Sequence, residues 1–251
     1  MTDSPASTPA VDDSGVPAVR RAPASPTLAA VGTSRLSDEG RAPVTDQAQV
    51  KATLHRYLQK HRAALVGKLD GLAERQARWP VTPTGTNVLG VVKHVASVQL
   101  LYFGSVFDRP FPDPPAWVTA EDGTDMYASL DETTADVIAF HDASAAHADA
   151  TIEALDLDAR GVVPWWPEDV REVTLHRILV HMAYETARHA GHADIVREML
   201  DGLAGDGDGN LADRTADEWR DWRDHLADIA ERAGLRTSGL SPTWDVGASD
   251  V

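Results

Sequence analysis

Glu185 and His189 stand four residues apart in the stretch 174–199, TLHRILVHMAYETARHAGHADIVREM. On a helix such a pair sits one residue above the other. With Glu185 as the zero of the wheel, His189 lies about 40° round, and His192 and His181 lie about 20° and 40° to the other side. Ile178, Met182 and Val196 share that face, so a carboxylate and several imidazoles point the same way as an apolar stripe. An ionised carboxylate among apolar neighbours is costly to bury unless a cation compensates it. A Glu and a His at this spacing are one helix's share of a divalent metal site. The competing reading is a set of half-exposed polar residues or satisfied core histidines. It suits a lone histidine on an apolar face better than a Glu–His pair with two more histidines beside it.

A third ligand comes from a second segment. His94 shares a helical face with Asn87, Gly90, Val91, Val98 and Leu101, and Gly90, one turn earlier, leaves room for the close approach of another group. Alone, His94 reads as a core histidine; beside Glu185 and His189 it completes a set of three. Three protein ligands leave coordination positions open, which marks a catalytic rather than a structural site. The chain has no cysteine, which excludes disulfides and thiolate ligands. Any thiol used in the chemistry must arrive with the substrate. Two imidazoles and a carboxylate accept zinc first, and also nickel, iron(II) or manganese.

These ligands need elements that bring them together, and the apolar periodicity supplies helices. The first runs from about 46 to 76 with Leu54, Leu58, Leu65, Leu69 and Leu72 on its stripe, and His61 is structural. The second starts at Thr86 or Asn87 and continues to Phe107. A proline-rich connection over 108–117 cannot be helical. The third helix covers about 130–155, with His141 and His147 on a solvated face. A loop over 156–173 holds Trp165 and Trp166, which cannot both point into one core; plain packing, or one ring at a pocket mouth, accounts for them. The fourth helix carries Glu185 and His189.

The Gly/Asp linker 201–210 lacks the terminal acid of a calcium loop. A fifth helix over 215–233 opens with a Thr215–Glu218 capping box, carries Trp219, Trp222, Leu226, Ile229 and Ala233 on one stripe, and ends at Gly234. That stripe is expected to dock on the bundle or on a second subunit, so a homodimer is among the assemblies expected. Residues 1–46 and 237–251 lack any period and read as disordered tails. The chain is therefore expected to be all-α: a tail (1–46), an antiparallel four-helix bundle (47–202) and an acidic extension (203–251).

The 251 residues carry a net charge of −16, which argues against nucleic-acid binding and against adhesion to anionic membranes. Arg20-Arg21 is followed by Ala, Pro and Ser, unlike a leader, and no apolar run approaches a membrane span. The expected location is the cytoplasm.

Three strings resemble one family. TGTNVLGVVKHVASVQLLYFG is similar to the second-helix signature of the DinB-like superfamily. YETARHAGHADIVREMLDG resembles the last-helix signature of its mycothiol S-transferase-like branch, related to mycothiol-dependent maleylpyruvate isomerase, and HRAALVGKLDGLAERQARWP resembles the opening of the domain. The resemblance covers roughly residues 50–202. It implies a four-helix bundle with one divalent metal, held at positions that match His94, Glu185 and His189. A carboxylate at 185, where many relatives carry histidine, points to the actinobacterial branch. His192 stands where others have glutamine; it, Arg188 and His181 are expected beside the ligands or lining the pocket, and Asp194 belongs to the same string. The implied activity is metal-dependent attack of mycothiol, or a similar small thiol, on a small electrophile, a detoxification reaction. Rival expectations are a hydrolase or isomerase of the same superfamily, and a non-catalytic metal-binding stress protein.

Overall fold

The computed structural model describes residues 20–21, 46–120, 122–205 and 211–236. The first two of these form strand β1 (Arg20–Arg21) inside a segment expected to lack structure; the rest of that tail, residues 206–210 and the C-terminal tail lie outside the described residues.

Helix α1 (Gln47–Val66) is capped by Asp46, which accepts from the Ala48 amide. The chain does not stay helical to Gln76 as its leucine spacing suggests. A 3₁₀ turn over Gly67–Leu69 and a left-handed Gly71 (φ 74°) end the helix before the four-residue α2 (Glu74–Ala77). The break turns Lys68 inward, where it donates to the Gly205 carbonyl at 2.7 Å and pairs with Asp194.

Helix α3 (Val88–Phe103) begins at Asn87, whose side chain accepts from the Gly90 amide at 2.7 Å. It is largely apolar, and Val88–Phe107 does reach the length and composition of a membrane span, contrary to expectation. Seventy-eight per cent of the apolar window is buried within the bundle, so it serves as the core helix. Helix α4 (Thr134–Ala154) starts with a Thr133–Asp136 capping box. A short hairpin follows, β2 (Arg160–Val162) antiparallel to β3 (Glu172–Thr174), strands too brief to show alternation in the sequence. Helix α5 (Leu175–Asp201) is capped by Thr174 and stopped by left-handed Gly202. Strand β4 (Leu203–Ala204) then pairs in parallel with β1.

The helices α1, α3, α4 and α5 form a four-helix bundle, although not every neighbouring pair is antiparallel as expected. α3 packs between α4 and α5, and α1 lies along α5. One half of the core centres on Leu58, Phe103, Ile152, Ile178 and Met182, the other on Leu65, Leu89, Val92, Val95 and Val196. Contacts along the seams give the directions. Lys93 at the start of α3 pairs with Glu132 just before α4, while Arg109 beyond α3 donates to Thr151 near the end of α4. α3 and α4 therefore run parallel, and the long connection 104–133 returns the chain to its starting end. α5 runs antiparallel to α3, setting Tyr102 beside His181 and His94 beside His189.

Helix α4 presents a different face from the one expected. His141 is only 3% exposed, and the His147 Nε2 contacts the Arg109 carbonyl at 2.7 Å. What turns this face inward is Asp149, held by Arg62 at 2.5 Å and His55 at 2.8 Å from α1. Helix α6 (Ala216–Arg236) keeps its Thr215–Glu218 box but continues past Gly234. A glycine costs a helix only about 1 kcal/mol, too little to end it without a left-handed cap. Its stripe is not docked on the bundle among the described residues: Trp222, Leu226 and Ile229 are exposed.

Candidate metal centre

The antiparallel crossing of α3 and α5 brings His94 against the Glu185–His189 pair. One ligating atom from each of the three lies within 4.8 Å of the others, and each residue is partly buried. His189 Nε2 is 3.0 Å from Glu185 Oε1, and the His94 and His189 rings meet edge to face with centroids 4.9 Å apart. Donors bonded to one tetrahedral ion at ~2.1 Å stand ~3.4 Å from each other. The trio is thus close to ligating geometry, and a small side-chain adjustment closes its widest gap.

The outer ring nitrogen of His94 is also accounted for. Its Nδ1 contacts Asp125 Oδ2 at 2.6 Å. A carboxylate there favours the proton on Nδ1, which leaves Nε2 as the nitrogen available to a metal and makes the imidazole a better ligand. Asp125 belongs to a 3₁₀ turn, Thr124–Met126, in the long α3–α4 connection. Backbone contacts pin this turn to α3. The Met126 carbonyl comes so near Gly90 that a Cβ there would lie 1.8 Å from its oxygen. Asn87 Nδ2 donates to the same oxygen at 3.3 Å, and Lys93 Nζ donates to the Tyr127 carbonyl at 3.0 Å. Lys93, 2% exposed, is neutralised by Glu132 at 2.8 Å and lies 4.2 Å from the Trp117 ring centre. Sequence reasoning anticipated the close approach at Gly90 and missed Asp125, which has no motif around it.

His189 sits in a setting that favours the neutral ring. Burial first, and then neighbouring His94, push its pKa below the usual value, against the pull of the Glu185 carboxylate. A neutral imidazole is the form that binds metal. Its Nδ1 is buried without a hydrogen-bond partner among the described residues.

The other sequence candidates fall outside the trio. His192 is exposed and touches the His189 ring edge-on at 5.5 Å, and Arg188 is exposed. His181, one turn before Glu185, packs on Tyr102 at 4.8 Å and Trp166 at 5.1 Å, and burial lowers its pKa. Trp165 and Trp166 share one anchor, both indole N–H groups donating to the Tyr102 hydroxyl, at 3.4 and 3.0 Å. Trp166 packs against the core while Trp165 remains half exposed. Asp194 serves the fold through Lys68, away from the ligands.

The family model of the mycothiol S-transferases matches residues 53–202. The chain belongs to the mycothiol S-transferase family. The matched span holds α3, α4 and α5, and with them His94, Asp125, Glu185 and His189; α6 lies beyond it. Among curated proteins the chain finds no match. The family's name implies a small thiol substrate, and the two imidazoles and carboxylate of the trio are a donor set suited to a divalent cation.

Proposed function

We propose that this protein transfers a low-molecular-weight thiol, mycothiol or a close analogue, onto a small electrophile in the cytoplasm, as a detoxifying metalloenzyme. The observation that carries the reading is the convergence of His94 with Glu185 and His189 in a chain of the mycothiol S-transferase family. His94, Glu185 and His189 would hold a divalent cation, zinc foremost, which when bound would supply the positive charge that favours a thiolate over a thiol near neutral pH.

The chain's own groups prepare that site. Asp125 keeps the His94 proton on Nδ1 and so leaves Nε2 free to ligate. Burial keeps His189 neutral. Glu185 brings one negative charge, leaving net positive charge to be shared with a thiolate. The −16 net charge makes nucleic acid and anionic membrane unsuitable partners.

The test is metal analysis of the parent beside His94→Ala and Glu185→Ala, with mycothiol consumption measured against monochlorobimane. The parent is expected to hold near-stoichiometric metal and consume thiol, and each variant to lose most of both. Full metal occupancy in either variant removes that residue from the site, and turnover of the electrophile without thiol points to hydrolysis instead.

A further inference from the structure

Helix α6 lies outside the family's matched span and carries an apolar seam of its own. Trp219, Trp222, Leu226, Ile229 and Ala233 follow each other at intervals of 3, 4, 3 and 4 residues. This is the a/d seam of a coiled coil, with tryptophan, leucine and alanine at a and tryptophan and isoleucine at d. Yet Trp222, Leu226 and Ile229 are 42, 46 and 49% exposed. Arg214 covers part of the first two rings, its guanidinium 4.6 Å from Trp219 and 4.7 Å from Trp222. The middle of the seam keeps close to half of its surface exposed.

The charges of α6 are sorted about this seam. Asp217, Asp221, Asp224, Asp228 and Glu231 all occupy c or f positions, the side remote from a partner. The flanking e and g positions hold Glu218, Arg223, His225, Ala230 and Arg232. When two copies of α6 lie parallel and in register, the e and g positions bring no like-charged pair together: g-position Glu218, whose carboxylate closes its own Thr215 capping box, stands across from e-position Arg223, which pairs with Asp224 within its own helix. The helix is complementary to itself in apolar spacing and in flanking charge, while its outer acidic face repels anionic surfaces.

We infer that α6 is a self-association helix whose seam is covered by the α6 of another copy of this chain. Leucine at a with isoleucine at d favours more than two strands, so the assembly joins several catalytic bundles through one helical stalk.

Light scattering with size-exclusion chromatography of the full-length protein tests this across roughly 1–100 µM, a range suited to a short seam. The parent is expected at a multiple of its 27.0 kDa chain mass, and Leu226→Lys/Ile229→Lys at 27.0 kDa with the thermal melt of the bundle unchanged. Exchanging the two seam residues, Leu226→Ile/Ile229→Leu, is expected to move the assembly toward a dimer. A parent that stays at 27.0 kDa throughout, as it would if α6 folded onto its own chain, overturns the inference, and so does a lysine variant that keeps the parent's mass. None of these readouts depends on metal or thiol chemistry.

Discussion

Replacing Gly90 by alanine should weaken metal binding although residue 90 offers the metal no side chain. The new Cβ would lie 1.8 Å from the Met126 carbonyl oxygen, whereas ordinary contact begins near 3.4 Å, so the turn must retreat by the difference, about 1.6 Å. Asp125 is carried on that turn and sits 2.6 Å from His94 Nδ1. A retreat of that size stretches the contact to roughly 4 Å, beyond hydrogen-bonding range. Loss of the carboxylate behind a ligating histidine costs about 10- to 100-fold in metal affinity, or ~1.4–2.7 kcal/mol. Alanine also gains about 1 kcal/mol of helix propensity, which partly offsets the overpacking cost in the melt. Zinc affinity measured by chelator competition should therefore fall in Gly90→Ala and in Asp125→Ala. The double variant should be no weaker than the weaker single, because both act through one hydrogen bond. Parent-like affinity in Gly90→Ala, or losses that simply add, would refute the linkage between this glycine and the metal.

His141 predicts a pH effect. Burial, with a contribution from Arg62, holds its pKa below the usual 6.5 despite the nearby Asp142. As pH falls through about 6.5 the unfolded chain takes up this proton and the folded one does not, so stability declines until the lowered folded value is passed, by at most ~1.4 kcal/mol per pH unit. Urea melts at several pH values should show a shallower decline in His141→Gln; an identical slope would mean the ring is hydrated in solution. Arg197, 2% exposed, forms a two-bond pair with Asp201 at 3.0 and 2.9 Å and donates to the Lys68 carbonyl at 2.6 Å. Arg197→Met should destabilise the bundle by about 3–5 kcal/mol in denaturant melts, and a loss under 1 kcal/mol would show the pair to be dispensable.

The convergence of His94 with Glu185 and His189 was legible because these residues are of ligand type, lie at helical spacing and sit on apolar faces. Asp125 was not, since what places it is a carbonyl resting on Gly90, and backbone contacts between distant segments leave no periodic mark. The inward face of α4 was hidden for a related reason. Its many alanines define no strong stripe, and its orientation comes from the Arg62–Asp149 pair across the seam. The early end of α1 depends on Gly67 and Gly71, small interruptions in a leucine pattern that continues through them. The resemblance to the S-transferase branch predicted the bundle, and the family match extends over the same helices.

Lys93 and His94 are neighbours on α3 with opposite duties: one clasps the long connection through Glu132, Trp117 and the Tyr127 carbonyl, and the other takes Asp125 from that connection. The connection is thus a working part of the centre. Anyone transplanting the three ligands onto another helical scaffold would carry over a floppy imidazole unless residues 124–132, and the glycine and lysine that grip them, travelled along. Engineering of this enzyme class should treat α3 and its following connection as one cassette.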